Sequence, residues 1–166
     1  MKTFSLTLKA AIIILFSIGN VAAQPKQPKL NQIELMKKFI GKWKGEAGKD
    51  TIVIAENMEF GTGIESTGQI MAGGKIIDSA RQLYGYDKSI DKFIISELLK
   101  SSPFIELLAA WFTSEKSGEM ILYKDISDPE KAKYKWKFEF RSPDTIVQTA
   151  LVNNKVFKEV IMSRVK

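Results

Sequence analysis

From Trp43 to the end of the chain the apolar residues recur with period two. The stretch "KYKWKFEFR" (133–141) is the clearest case. Tyr134, Trp136, Phe138 and Phe140 point to one face, while Lys133, Lys135, Lys137, Glu139 and Arg141 point to the other. One face is wet and one is dry. Turn signals break the alternation about every eight to twelve residues. "AGGK" (72–75) and "VNNK" (152–155) carry Gly-Gly and Asn-Asn, pairs that tolerate the positive φ of two-residue hairpins. The pattern predicts strands over 42–48, 51–59, 63–72, 75–86, 91–99, 104–114, 118–125, 133–141, 145–152 and 155–164. Nearly all the connections are too short for parallel crossovers, so neighbours should pair antiparallel as a meander. About eight to ten such strands in one small domain leave two costly open edges unless the sheet closes. The expectation is an all-β, antiparallel up-and-down barrel. Its interior is wide enough for a side-chain core or one small ligand.

The N-terminal part reads differently. Lys2 and Lys9 bracket a charged start, and "AAIIILFSIGNVAA" supplies a short apolar core ending in small residues. Residues 1–23 therefore read as an export signal cleaved before Gln24; the fully apolar core is too short to span a bilayer. "QPKQPKL" (24–30) reads as a linker. In "NQIELMKKF", Asn31 followed by Glu34 resembles a capping box, and Ile33, Met36 and Ile40 keep helical spacing. This helix should end at Gly41, which makes 31–166 one helix-plus-barrel domain. The expected location is the periplasm or the exterior of a bacterium.

The chain has no cysteine and no histidine. Without cysteine there is no structural disulfide, thiol catalysis or lipid-bearing cysteine. Without histidine there is no Ser-His-Asp triad, no histidine-held zinc and no proximal-histidine haem site. Removing 1–23 takes Lys2 and Lys9 from 25 basic residues and leaves 19 acidic ones, a balance of +4. These charges are interspersed, which reads as a solvated surface and not as a nucleic-acid face. No cofactor and no stable membrane insertion is expected.

Gly41, Trp43 and Gly45, placed after the short helix and before a full meander, together with the late Arg164 of the last strand, resemble the calycin superfamily, which includes lipocalins. More closely, the layout resembles a family of exported bacterial lipocalin-like proteins. Phe39, Gly41, Trp43 and Gly45 match its "Phe-x-Gly-x-Trp-x-Gly" pattern, and Gly85-Tyr86-Asp87 matches a mid-chain "Gly-Tyr-Asp". The resemblance implies that Trp43 packs inside one end of the barrel with Arg164 across it, the helix helping to close that end. It also implies that these residues hold the barrel shut, and that the interior takes apolar small molecules. Several branches seat haem through histidine, which this chain lacks.

Four features could meet a ligand. Tyr134, Trp136, Phe138 and Phe140 would line the interior or simply fill it; small residues of 61–68 could leave them room. If Ser101-Ser102 form a two-residue loop, Leu99 meets Phe104, Ile95 meets Leu108 and Glu97 meets Glu106. Two carboxylates directly opposite repel unless solvated, bridged by a cation or sharing a proton. A loop longer by one or two residues would dissolve that pair. Arg81 is the arginine left to hold a ligand carboxylate internally, if it does not face solvent. Finally, "SSPFIELLAAWF" (101–112) is apolar on both faces, so either the tether or helix covers its outer side or it is a contact patch that could seat a homodimer.

The reading is an exported barrel that binds a small, largely apolar molecule or lipid through Tyr134, Trp136, Phe138, Phe140, Arg81, Glu97 and Glu106. It is not expected to be an enzyme and has no assigned catalytic residue, although a carboxylate-based activity on Glu97 and Glu106 stays open. The alternative is a protein-interaction or structural module with a filled barrel and a contact surface at 104–112.

Overall fold

The computed structural model describes residues 29–166; the expected export signal and nearly all of the linker lie outside the described residues. Asn31 caps the short helix α1 (Gln32–Met36) by accepting the Glu34 N–H at 3.3 Å, and a 3-10 turn (Lys37–Phe39) ends it. Gly41 then turns the chain into the sheet at φ +113°, a conformation that side chains avoid. A Cβ there would also stand 2.6 Å from Nη1 of Arg164.

Ten antiparallel strands follow: β1 (Gly41–Glu46), β2 (Thr51–Phe60), β3 (Gly63–Ala72), β4 (Lys75–Asp87), β5 (Lys92–Leu99), β6 (Ile105–Phe112), β7 (Ser117–Leu122), β8 (Tyr134–Ser142), β9 (Thr145–Val152) and β10 (Lys155–Arg164). Each pairs with the next in sequence, and β1 pairs with β10, so the barrel is closed. Closure sets Trp43 opposite both Arg164 and Ala55. Asn153 and Asn154 adopt φ of 50° and 60°, and Gly73 and Gly74 of 55° and 75°, as the two hairpins require.

An aromatic cluster fills the helix end. Phe39 sits among Phe138 (centroids 5.1 Å), Phe140 (5.0 Å) and Phe112 (6.1 Å), beside buried Trp43, Met36 and Ile146. Edge-on contacts of this kind suit the ring quadrupoles. The Gln32 side-chain amide fastens α1 to the barrel by donating to the Phe112 carbonyl (3.0 Å) and accepting the Phe112 N–H (2.7 Å). Gly118 makes room for the cluster, since a Cβ there would strike the Phe138 ring and the Trp111 carbonyl.

The β7–β8 connection departs from expectation. The strand expected over 118–125 ends at Leu122, and two 3-10 turns, Tyr123–Asp125 and Pro129–Lys131, follow. This connection lies on the outside of the barrel, where Ile126 and Ala132 pack over Ala109, Ile121 and Trp111. Part of the apolar outer face of 104–112 is thus covered from within the barrel domain, by the β7–β8 connection. Lys135, expected on the wet face, is for the same reason only 3 % exposed, its Nζ 3.7 Å from Glu130. Among the described residues no helix is long and apolar enough to cross a membrane.

Candidate functional site

The sequence places small residues in one inward row: Ala55 of β2 stands opposite Gly68 of β3, and Gly68 opposite Ala80 of β4. Large rings project toward them from across the barrel. The space between is a cavity of about 280 Å³, lined by Met36 and Phe39 on the helix side and by Trp136 and Phe138 on the far wall. It reaches Val53, Ile70, Asp78 and Leu99 toward the opposite end. Concavity, an apolar lining and few polar groups are what a small-molecule site requires.

The four aromatic residues of β8 divide. Trp136 and Phe138 line the cavity, whereas Phe140 belongs to the packed floor with Phe39 and Trp43. Tyr134, expected inside, is 40 % exposed at the start of the strand, where the barrel opens away from the helix.

The β5–β6 hairpin has the register that a two-residue Ser101-Ser102 loop demands, with Ile95 opposite Leu108 and Glu97 opposite Glu106, but the ladder stops at Leu98–Ile105. The Ser102 N–H donates to the Leu99 carbonyl at 3.1 Å, so the turn is Leu99–Ser102 and Leu99 does not pair with Phe104. The two carboxylates do not share one environment. Glu97 lines the cavity, while Glu106 is exposed near the hairpin. Glu97 accepts a short hydrogen bond from Nε2 of Gln82, its partner on β4, and Oε1 of Gln82 accepts from the Tyr84 hydroxyl at 2.7 Å. Burial raises the Glu97 carboxyl above the ordinary carboxylate range; the Gln82 bond opposes this, and the charges of Glu106 and Asp78 add to it. Burial, and then the charge of Glu97, push the Tyr84 phenol up as well. Asp78 is held lower than usual, chiefly by the Ser101 hydroxyl at 2.6 Å and then by the Ser79 N–H at 2.8 Å.

Arg81 does not enter the cavity. The inward row of β4 is Asp78, Ala80, Gln82 and Tyr84, which turns Arg81 to the outer face, where its side chain is 77 % exposed and 3.6 Å from Glu65. Lys137 touches the cavity wall, but its ammonium group pairs with Glu119 at 3.4 Å, on the side opposite Trp136 and Phe138. Among the described residues lining this space, the charged groups left to it are therefore carboxylates: Glu97 in the wall, and at the far end Asp78, whose oxygens are bonded to Ser101 and the Ser79 N–H. The roles of Gln82 and Tyr84 were missed in the sequence because both alternating sets of β4 are mixed in polarity. The register carried from Glu97 would have identified them.

Trp43 and Arg164 stand outside this space, in the floor. The Trp43 indole N–H donates to the Phe39 carbonyl at 2.8 Å, and Asn57 Nδ2 donates to the same oxygen at 2.7 Å. Compared by sequence, the chain matches no family model, and no curated protein is similar to it.

Proposed function

We propose that this is a calycin-like, lipocalin-like binding protein, exported to the periplasm or beyond, that holds a small, mostly apolar molecule in its barrel. The observation that carries the reading is the 280 Å³ cavity between the Ala55–Gly68–Ala80 row and Trp136. Removing an apolar ligand from water supplies affinity, and the polar strip of Glu97, Gln82 and Tyr84 supplies orientation. That strip also favours one kind of head group. An anionic head would meet two carboxylates and no cation, so a neutral or positively charged head that donates hydrogen bonds is the better partner. The resemblance of Gly41, Trp43, Gly45 and Arg164 to the calycin pattern supports the same class of activity.

The test is native mass spectrometry of protein purified without detergent, with extraction of any adduct and competition against an apolar fluorophore. Long-chain alcohols and amines should displace the fluorophore at least about tenfold more effectively than the carboxylic acid of equal chain length. A clean apo mass without fluorophore uptake would refute the reading. A second reading, a homodimer seam on the outer face, rests on Leu83, Leu98, Ile105 and Leu107, which are 50 %, 46 %, 66 % and 48 % exposed on adjoining strands. Sedimentation against concentration tests it.

A further inference from the structure

We propose that the end of the barrel opposite α1 docks on an anionic lipid bilayer. Among the described residues, eight hydrophobic side chains are more than half exposed, and six of them sit on hairpins at this end. They come as consecutive pairs: Ile76-Ile77 at β3–β4, Phe104-Ile105 at β5–β6 and Val156-Phe157 at β9–β10. Phe104 lies just before β6, and Ile77 and Phe157 fall at register shifts in β4 and β10, where an extra residue interrupts the pairing and re-aims its side chain, so each pair adds apolar surface at its hairpin tip. A hairpin tip in water needs no such pair, and a packed one would not leave Phe104 and Phe157 73 % and 75 % exposed.

The charges on the same hairpins indicate what covers them. Segments 72–77, 100–105 and 153–158 carry Lys75, Lys100, Lys155 and Lys158 and no acidic residue. At this end the acids are concentrated on the other two connections, Glu46 and Asp50 at β1–β2 and Asp125, Asp128 and Glu130 at β7–β8. Each apolar hairpin also has one acid just beyond its segment, Asp78, Glu106 and Glu159, the first of them bonded to Ser101. Apolar tips flanked by lysine are the pattern of a surface lying at a membrane interface: the tips enter the headgroup layer and the ammonium groups meet lipid phosphates.

The strand order spreads the tips around one opening. β3–β4 adjoins β5–β6, and the Asp78–Ser101 hydrogen bond ties these two hairpins together. β9–β10 lies across the barrel, flanked by β1–β2 and β7–β8. A roughly flat surface meets all three, whereas a partner held on one wall would not. The cavity reaches this same end at Ile70 and Leu99, so docking would place its mouth on the bilayer and let an apolar molecule pass without crossing water.

The experiment is co-sedimentation of the purified protein with vesicles of phosphatidylcholine alone or with about 30 % phosphatidylglycerol. Binding is expected on the anionic vesicles, weaker on the neutral ones, and lost in about 0.5 M salt. The double variant Phe104→Ser/Phe157→Ser should lose at least about tenfold in vesicle affinity, with its unfolding midpoint unchanged. Phe60→Ser, at the helix end, should bind as the parent does. Failure of the parent to bind anionic vesicles would overturn the proposal. So would a dimer that Phe104→Ser/Phe157→Ser dissociates, which would make this face a seam between copies. Fluorophore uptake in the absence of vesicles is read separately, so docking and ligand binding can fail independently.

Discussion

The guanidinium carbon of Arg164 lies 4.2 Å from the ring centre of Trp43, and the same group donates hydrogen bonds to the carbonyls of Ile40, Lys38 and Pro143. One side chain therefore joins the last strand, the first strand, the end of the helical segment and the β8–β9 turn, with Asp144 3.2 Å from its Nε. Arg164→Met keeps the bulk over the indole and loses the donors and the charge. It should destabilise the fold by about 2–3 kcal/mol in urea unfolding. Arg164→Lys should recover only part of this, because an ammonium cannot fork to several carbonyls.

Lys135 offers a contrast, because its charge is buried while its partner Glu130 is 87 % exposed. Taking an ammonium out of water against a solvated carboxylate is poorly compensated. Lys135→Met should therefore be neutral or stabilising by about 1 kcal/mol. Lys135→Glu should cost roughly 3–5 kcal/mol in the same assay, since it leaves an opposed charge under the β7–β8 connection.

Glu97 makes stability depend on pH with a definite sign. Its folded pKa lies above the unfolded one, so the unfolded chain releases this proton first as pH rises, and stability falls through that window. Below the ordinary carboxylate value of 4.5 both states hold the proton and the penalty is absent. Glu97→Gln retains an amide for Gln82 and removes the charge. The variant should equal the parent at acid pH and exceed it near neutrality, by about 1 kcal/mol. Unfolding midpoints from acid to neutral pH would read this, and an unchanged difference across that range would refute it.

Gly118→Ala should be among the costlier single-atom additions in the barrel. The new methyl group meets the Phe138 ring and the Trp111 carbonyl, and the phenylalanines around Phe39 leave little room to yield. A loss of about 2–3 kcal/mol is expected by thermal or urea unfolding.

Gly68→Phe tests the cavity. A Cβ at Gly68 would meet only the Ala80 methyl, at 3.6 Å, so a side chain can begin there without collision. The ring would extend into space that now separates β3 from Trp136. Stability should hold to within about 1 kcal/mol, while uptake of an apolar fluorophore is lost.

Much of this molecule was legible in the chain because the reading rested on periods and turns. The alternation of 133–141 placed one face of β8 inward, and Gly-Gly and Asn-Asn marked two hairpins that do adopt positive φ. The β5–β6 register, and so the meeting of Glu97 with Glu106, came out as a Ser101-Ser102 loop would set it, although the turn itself falls at Leu99–Ser102 and the connection is longer. The short helix ending at Gly41 also stood where its cap and spacing put it. Arg81 resisted because β4 mixes polarities on both of its rows, so period two alone could not choose its face. Lys135 misled for a different reason. Alternation reports which side of the sheet a residue takes, and that side is wet only if no other segment lies over it.

The sequence by itself thus determined most of the strands, their antiparallel order and the short capped helix before them, since these follow from local spacing and turn chemistry. Only the tertiary structure decided what fills the barrel and what covers it. The cavity exists because Ala55, Gly68 and Ala80 fall into register across three strands, and Glu97 enters it while Glu106 does not. These are consequences of how rows of side chains meet around a closed sheet, and no stretch of the chain read alone contains that geometry.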